Sequence, residues 1–151
     1  MNLTQLLVPA EPLPSDLGWD CPAKLDPAMD GERLDITGCD YEHLGVLWGL
    51  LRGQVYRGVA LEQPLEEFAL VSENTEWGPW LALLPPDFTE RLAALEEPQF
   101  APLAEAWDRS EYPSECAHYN NGESRVVLAQ MARMARVARA RKTQLLLWRC
   151  P

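Results

Sequence analysis

The chain has 151 residues, of which 47% are hydrophobic and 24% charged, values typical of one globular domain that buries its own core. No apolar run reaches the roughly 20 residues of a membrane-spanning helix, and the first ten residues lack the basic start of a secretion signal. The four cysteines are widely separated, without a CxxC pair. We therefore predict a cytoplasmic protein with reduced thiols.

The net charge of −10 is distributed unevenly along the sequence. Residues 1–122 contain 22 acidic and 6 basic side chains, a net charge of −16, whereas residues 123–151 contain 1 acidic and 7 basic ones, a net charge of +6. An acidic body repels nucleic acid and anionic membranes. This pattern disfavours both as partners and favours either a basic protein partner or a role in solubility alone.

The first 32 residues are rich in proline, which removes a backbone donor and clashes with the preceding helical turn. We predict that residues 1–32 form an irregular segment packed on the domain, with one helical turn at residues 4–7. A short extended piece over residues 32–36 and a helix over residues 41–51 follow. Asp40 is a good N-cap for this helix, and Gly53 fits the position after its C-cap, where a positive φ costs no Cβ clash.

The middle of the chain alternates between strand and helix signals. Residues 54–61 favour a strand, residues 64–72 fit a helix or a strand, and residues 80–84 predict a short buried strand. A helix is predicted over residues 86–96, where Asp87 and Glu90 have the spacing of a capping box. Pro98 is expected to end this helix, and a second helix is predicted over residues 101–109.

The last predicted elements are a helix over residues 124–142 and a strand over residues 144–148, whose continuous apolar run suits a central position in a sheet. Together the elements predict an α+β fold. We expect a single compact domain, residues 1–151, with four or five helices packed on a small sheet. The last helix is predicted to bury Val127, Met131, Met134 and Ala138 and to expose Arg125, Arg133, Arg136 and Arg139 on its opposite side.

No motif identifies a reaction, because the chain lacks a GxGxxG, P-loop or GxSxG sequence. Cys116 and His118 lie in one polar loop and have the composition of a nucleophilic or zinc site, although the spacing of a zinc site is missing. Free thiols and a surface histidine are the commoner use of such residues. We therefore predict no catalytic residue, no metal and no cofactor.

Three further side chains are candidates for binding. His43 follows Asp40 by one helical turn and is interpreted as a capping or packing residue in preference to a base. Trp77 and Trp80 flank a Gly-Pro turn and suit a ligand pocket, although core packing is the commoner use of tryptophan. The predicted binding residues are therefore Trp77, Trp80, Cys116, His118 and His43. The arginines of the last helix suit either phosphate binding or pairing with the protein's own carboxylates, and the overall charge favours pairing.

Four short stretches are similar to the bacterial YfbM-like family. They are residues 34–36 with the helix after them, residues 78–88 at a strand followed by a proline-started helix, residues 107–113, and the closing helix and strand. The family's tryptophan near the first stretch is displaced or absent here, and the first 30 residues do not match well. The resemblance implies an α+β fold and no known activity, and it transfers no catalytic residues.

The leading functional hypothesis is a non-enzymatic, acidic binding protein, with an immunity-like or adaptor-like partner of a basic protein as its specific form. The large negative charge of residues 1–122 and the lack of a catalytic motif support it. The alternative is a small-ligand-binding protein or an enzyme that uses the loop containing Cys116 and His118. The sequence does not predict the oligomeric state.

Overall fold

The computed structural model describes residues 3–10, 31–36, 38–39, 41–54, 68–73, 80–110 and 123–150. Over these residues the fold is α+β, with four helices and an antiparallel sheet of five strands. In chain order the elements are β1 (Leu3–Pro9), β2 (Gly31–Asp35), α1 (Tyr41–Leu51), β3 (Ala69–Glu73), β4 (Trp80–Leu83), α2 (Pro86–Ala93), α3 (Glu97–Asp108), α4 (Glu123–Ala140) and β5 (Leu146–Cys150).

The strand order in the sheet is β2-β1-β5-β4-β3, and all neighbouring strands are antiparallel. The first and last strands of the chain are therefore adjacent, with β5 in the centre. Leu6 of β1 lies opposite Leu34 of β2 on one side and Leu147 of β5 on the other. Helix α4, which has 18 residues, precedes β5, so the chain closes its own sheet with its last strand.

The main core lies between the helices and one face of the sheet. Because side chains alternate between the two faces of a strand, Leu6 and Val8 point into this core while Leu7 points to the opposite face. The rings of Trp48 and Phe88 meet edge to face, with 5.3 Å between their centroids. On the opposite face of the sheet, a smaller buried cluster consists of Leu7, Leu81 and Leu146, with Leu83 and Trp148 packed against it.

Helix α1 has the predicted bounds and the predicted C-terminal glycine. Gly53 adopts a positive φ of 73°, and its amide donates to the Leu50 carbonyl at 3.0 Å. The next amide, that of Gln54, donates to the Gly49 carbonyl at 2.8 Å. These two bonds form a Schellman motif, which satisfies carbonyl groups that the end of a helix leaves without partners. Asp40, its predicted N-cap, lies outside the described residues.

The N-terminal prediction is wrong over residues 3–9, which form strand β1 and neither an irregular segment nor a helical turn. A short continuous apolar run such as Leu6, Leu7 and Val8 suits a strand covered on both faces as well as a buried helical turn, and here both faces are covered. Pro9 is compatible with this strand because it is the last residue. Residues 11–30 of the predicted segment lie outside the described residues.

The predicted boundary between the two central helices is also wrong. Helix α2 ends at Ala93, and α3 already begins at Glu97, so Pro98 lies in the first turn of a helix, where its missing amide hydrogen is tolerated. Asp87 does not cap α2, because the N-cap position belongs to Pro85. Asp87 instead pairs with Arg91 at 2.9 Å.

The other predicted elements agree with the structure wherever it describes them. Residues 32–35 belong to β2 and residues 80–83 form a strand. Residues 69–73 form a strand too, the second of the two alternatives predicted for that region. Helix α4 and strand β5 occupy the predicted region, with bounds shifted by up to two residues. Residues 55–67 and 111–122 lie outside the described residues.

Candidate functional site

Of the five candidate binding residues, His43 is the one whose side chain lies within the described part of the structure. Trp77, Cys116 and His118 lie outside the described residues. Trp80 is the first residue of β4, but its side chain is outside the description as well. A ligand pocket at the tryptophans and a reactive loop at Cys116 and His118 therefore stay predictions.

His43 is a core residue on the face of α1 that contacts α3. Its exposed fraction is 2%, and the indole nitrogen of Trp107 donates a hydrogen bond of 2.9 Å to its backbone carbonyl. Trp107, at the C-terminal end of α3, is itself 2% exposed. This burial is consistent with a packing role, and the binding role of His43 stays a prediction.

Within the described part of the chain, no group of three or more histidine, cysteine, aspartate or glutamate side chains is arranged to hold a metal ion. The side chain of Cys39 is completely buried. None of the described helices is both long enough and apolar enough to cross a membrane.

The exposed arginines of α4 are engaged by other elements of the same chain. Arg125 pairs with Glu97 of α3 at 2.6 Å, and Arg133 pairs with Glu32 of β2 at 2.8 Å. A longer contact of 3.7 Å joins Arg139 to Glu90 of α2. The interpretation that these arginines pair with the protein's own acidic side chains is confirmed for all three residues.

Arg136, the fourth arginine on this side of α4, binds backbone instead of a carboxylate. Its Nε donates to the Ala93 carbonyl at 3.1 Å, and its Nη2 donates to the Leu95 carbonyl. Both carbonyls lie at the C-terminal end of α2, where the helix leaves acceptors without partners and its dipole is negative. Sequence reasoning missed this contact, because spacing along α4 gives no information about the helix end that lies beside it.

The described residues carry no net charge, with 11 acidic and 11 basic side chains among them. The whole chain has 23 acidic and 13 basic side chains, so the remaining residues hold 12 acidic and 2 basic ones. Three acid-rich segments account for most of this excess, namely residues 11–30, 55–67 and 111–122. The net charge of −10 therefore comes from the residues outside the described ranges, while the described residues are balanced as a set.

No protein-family model, curated protein or solved structure matches this chain. The similarity to the YfbM-like family consequently stays a prediction from the residues quoted above. The functional interpretation depends on the charge and geometry of the chain itself.

Proposed function

We propose that the chain is a non-enzymatic acidic binding protein of the cytoplasm and that its partner is a basic protein, in the manner of an immunity or adaptor protein. The single observation that carries this proposal is the distribution of charge. The described residues are neutral as a set, whereas the remaining residues contain 12 acidic and 2 basic side chains. A balanced framework with acid-rich segments between its elements suits attraction of a basic surface.

The contacts of α4 support the same proposal. Its exposed arginines bind Glu97, Glu32 and Glu90 of the same chain. In these pairs, carboxylates of the same chain offset the positive charge of the arginines on α4. The pairing reduces the attraction of this surface for anions such as nucleic acid. The acidic excess in the other segments has no comparable number of basic side chains in the sequence to offset it.

Affinity capture at two salt concentrations tests the proposal. The immobilised chain is expected to retain a basic protein from a native lysate at about 50 mM salt and to release it at about 500 mM, because the Debye length shortens as salt rises. Mass spectrometry identifies the retained protein, and the purified pair is then titrated directly. Retention of no basic protein at the lower salt concentration contradicts the proposal.

Two matched variants locate the acidic surface. The first variant replaces Asp16, Asp20, Asp26 and Asp30 by Asn, and the second carries D87N, E96Q, E105Q and E123Q, which change exposed residues of the described helices and their flanks. Each raises the net charge by four. We expect the first to weaken binding of the captured partner at least about tenfold and the second to change it by less than about threefold. Equal losses would show that only the total charge matters.

A further inference from the structure

Strand β2 lies at one edge of the described sheet and is hydrogen-bonded to β1. An edge strand directs part of its backbone N–H and C=O groups away from the sheet, where another strand can pair with them. The amide of Ile36 donates to the Thr4 carbonyl at 2.9 Å, and the direction of the backbone groups alternates along a strand. The groups that face away from β1 are therefore those of Gly31, Arg33 and Asp35.

The side chains of β2 carry opposite charges two residues apart on one face. Arg33 and Asp35 are both exposed and point to the same side of the sheet, opposite to the main core. Leu34, between them, is half-buried and packs against the main core. Glu32 also lies on the core side, where it pairs with Arg133.

We propose that two copies of this chain associate through β2, antiparallel about a twofold axis at Leu34, so that their sheets become continuous. In this register Arg33 lies opposite the partner's Asp35, and the reverse pair forms on the other side of the axis. Both pairs are of the hydrogen-bonded type, in which two residues exchange both backbone N–H···O bonds. The strand is thus complementary to itself, as a twofold interface requires.

The charges of Arg33 and Asp35 favour a twofold axis at Leu34 over one shifted by a single residue to Arg33. An axis at Arg33 would place the two guanidinium groups directly opposite each other, which is unfavourable for a cross-strand pair. An axis at Leu34 places each guanidinium opposite a carboxylate and brings the two leucines together on the core side. Asp35 already takes part in a polar interaction within its own chain. A carboxylate has about four acceptor sites and can therefore accept a guanidinium beside other donors.

The helix above the sheet permits this pairing. Helix α4 packs mainly over β1 and reaches β2 to a smaller extent. In the paired sheet, the two β1 strands would be separated by three strand spacings, about 14 Å. This distance exceeds the roughly 8–10 Å between the axes of packed helices, so the two α4 helices can be accommodated.

Sedimentation velocity of the full chain tests the proposal. A pairing of one short strand is at the low end of interface sizes, so we expect a reversible monomer–dimer equilibrium between about 1 µM and about 500 µM protein. Arg33→Asp and Asp35→Arg each place like charges opposite one another on both sides of the axis. Each is expected to weaken the dimer at least about tenfold, and the double variant R33D/D35R is expected to restore it.

Arg109→Asp is the matched control, because it changes the net charge as Arg33→Asp does but lies at the end of α3. We expect it to leave the dimer unchanged, and circular dichroism checks that every variant keeps its fold. A wild-type chain that stays monomeric at about 500 µM overturns the proposal. Failure of the double variant to recover association overturns it as well, since the twofold pairing requires recovery.

Discussion

At the residue scale, two helices end with the same hydrogen bonds but with different residues in the left-handed position. Gly53 follows α1 with a φ of 73°, and Lys142 follows α4 with a φ of 55°. The Lys142 amide donates to the Arg139 carbonyl at 3.1 Å, and the Thr143 amide donates to the Ala138 carbonyl at 2.9 Å. This is again a Schellman motif, with a lysine in the position that glycine usually occupies.

Lys142→Gly is expected to raise the free energy of unfolding by about 0.5–1 kcal/mol. The Cβ of a non-glycine residue is crowded at this φ, at a cost of roughly 1–2 kcal/mol, and the greater entropy of glycine in the unfolded chain offsets part of the gain. Urea denaturation followed by tryptophan fluorescence measures the change.

Gly53→Ala is the opposite substitution in the equivalent position. It should lower the free energy of unfolding by about 1 kcal/mol, because it introduces a Cβ at a positive φ. Among the described residues, and apart from the adjoining chain, no atom lies within 4 Å of the added Cβ, so a loss would report backbone conformation and not a clash with a packed neighbour. Effects of the same sign for both variants would contradict the explanation.

At the element scale, arginines from later helices stabilise the C-terminal ends of earlier ones. Arg91 of α2 donates to the Leu51 carbonyl at the end of α1, at 3.1 Å. Arg136 of α4 donates to the Ala93 and Leu95 carbonyls at the end of α2. Each guanidinium satisfies acceptors that a helix end leaves without partners and places positive charge at its negative end. The helices are thus joined to one another by hydrogen bonds from arginine side chains to backbone carbonyls as well as by apolar packing.

Arg136→Ala is expected to lower the free energy of unfolding by about 1–2 kcal/mol, because it removes two charge-assisted hydrogen bonds to backbone carbonyls. Arg133→Ala removes the same type of side chain from the same helix, but its partner is an exposed carboxylate, so a loss below about 0.5 kcal/mol is expected. Chemical denaturation of both variants gives the comparison. Equal losses would show that the backbone contacts of Arg136 add nothing beyond surface charge.

Helices with clear end signals were predictable from the sequence, whereas the boundary between α2 and α3 was not. Gly53 marked the end of α1 correctly because a positive φ is a local requirement. Pro98 was misleading, since proline ends a helix in its interior but is tolerated in its first turn. The choice between these two positions depends on where the preceding helix stops. Arg136, a residue of a later element, contacts the end of α2. The start of α3 carries a local signal as well, because the Glu96 amide donates to Gln99 Oε1 at 2.8 Å in a capping box.

At the scale of the whole molecule, the sheet is assembled from opposite ends of the chain. Strands β1 and β5 are adjacent, although more than 130 residues separate them, and β5 also pairs with β4. Such long-range pairing cannot be read from local patterns. The sequence indicated a central position for the last strand, since its apolar run suits coverage on both faces, but the same kind of run in β1 was interpreted as a helical turn.

The candidate site shows the same division between local and non-local information. The uneven charge was readable directly, because composition needs no coordinates. The burial of His43 was predicted from the apolar character of α1, and its position is consistent with that interpretation. Its contact with Trp107 joins residues 64 positions apart and was not predictable from spacing. The predictions for Trp77, Cys116 and His118 concern residues outside the described ranges and await measurement.

If the terminal strands hold the fold together, truncating a side chain where they meet should destabilise the whole molecule. Leu6 is fully buried between Leu34 and Leu147, so Leu6→Ala is expected to lower the free energy of unfolding by about 2–5 kcal/mol. Val126→Ala, at a side chain that is 58% exposed, should change it by less than about 0.5 kcal/mol. Urea denaturation should show a lower midpoint for Leu6→Ala, with one cooperative transition and an unchanged slope, because β1, β5 and all four described helices contribute to the main core. A second transition that keeps the wild-type midpoint would instead show that the helices fold independently of β1.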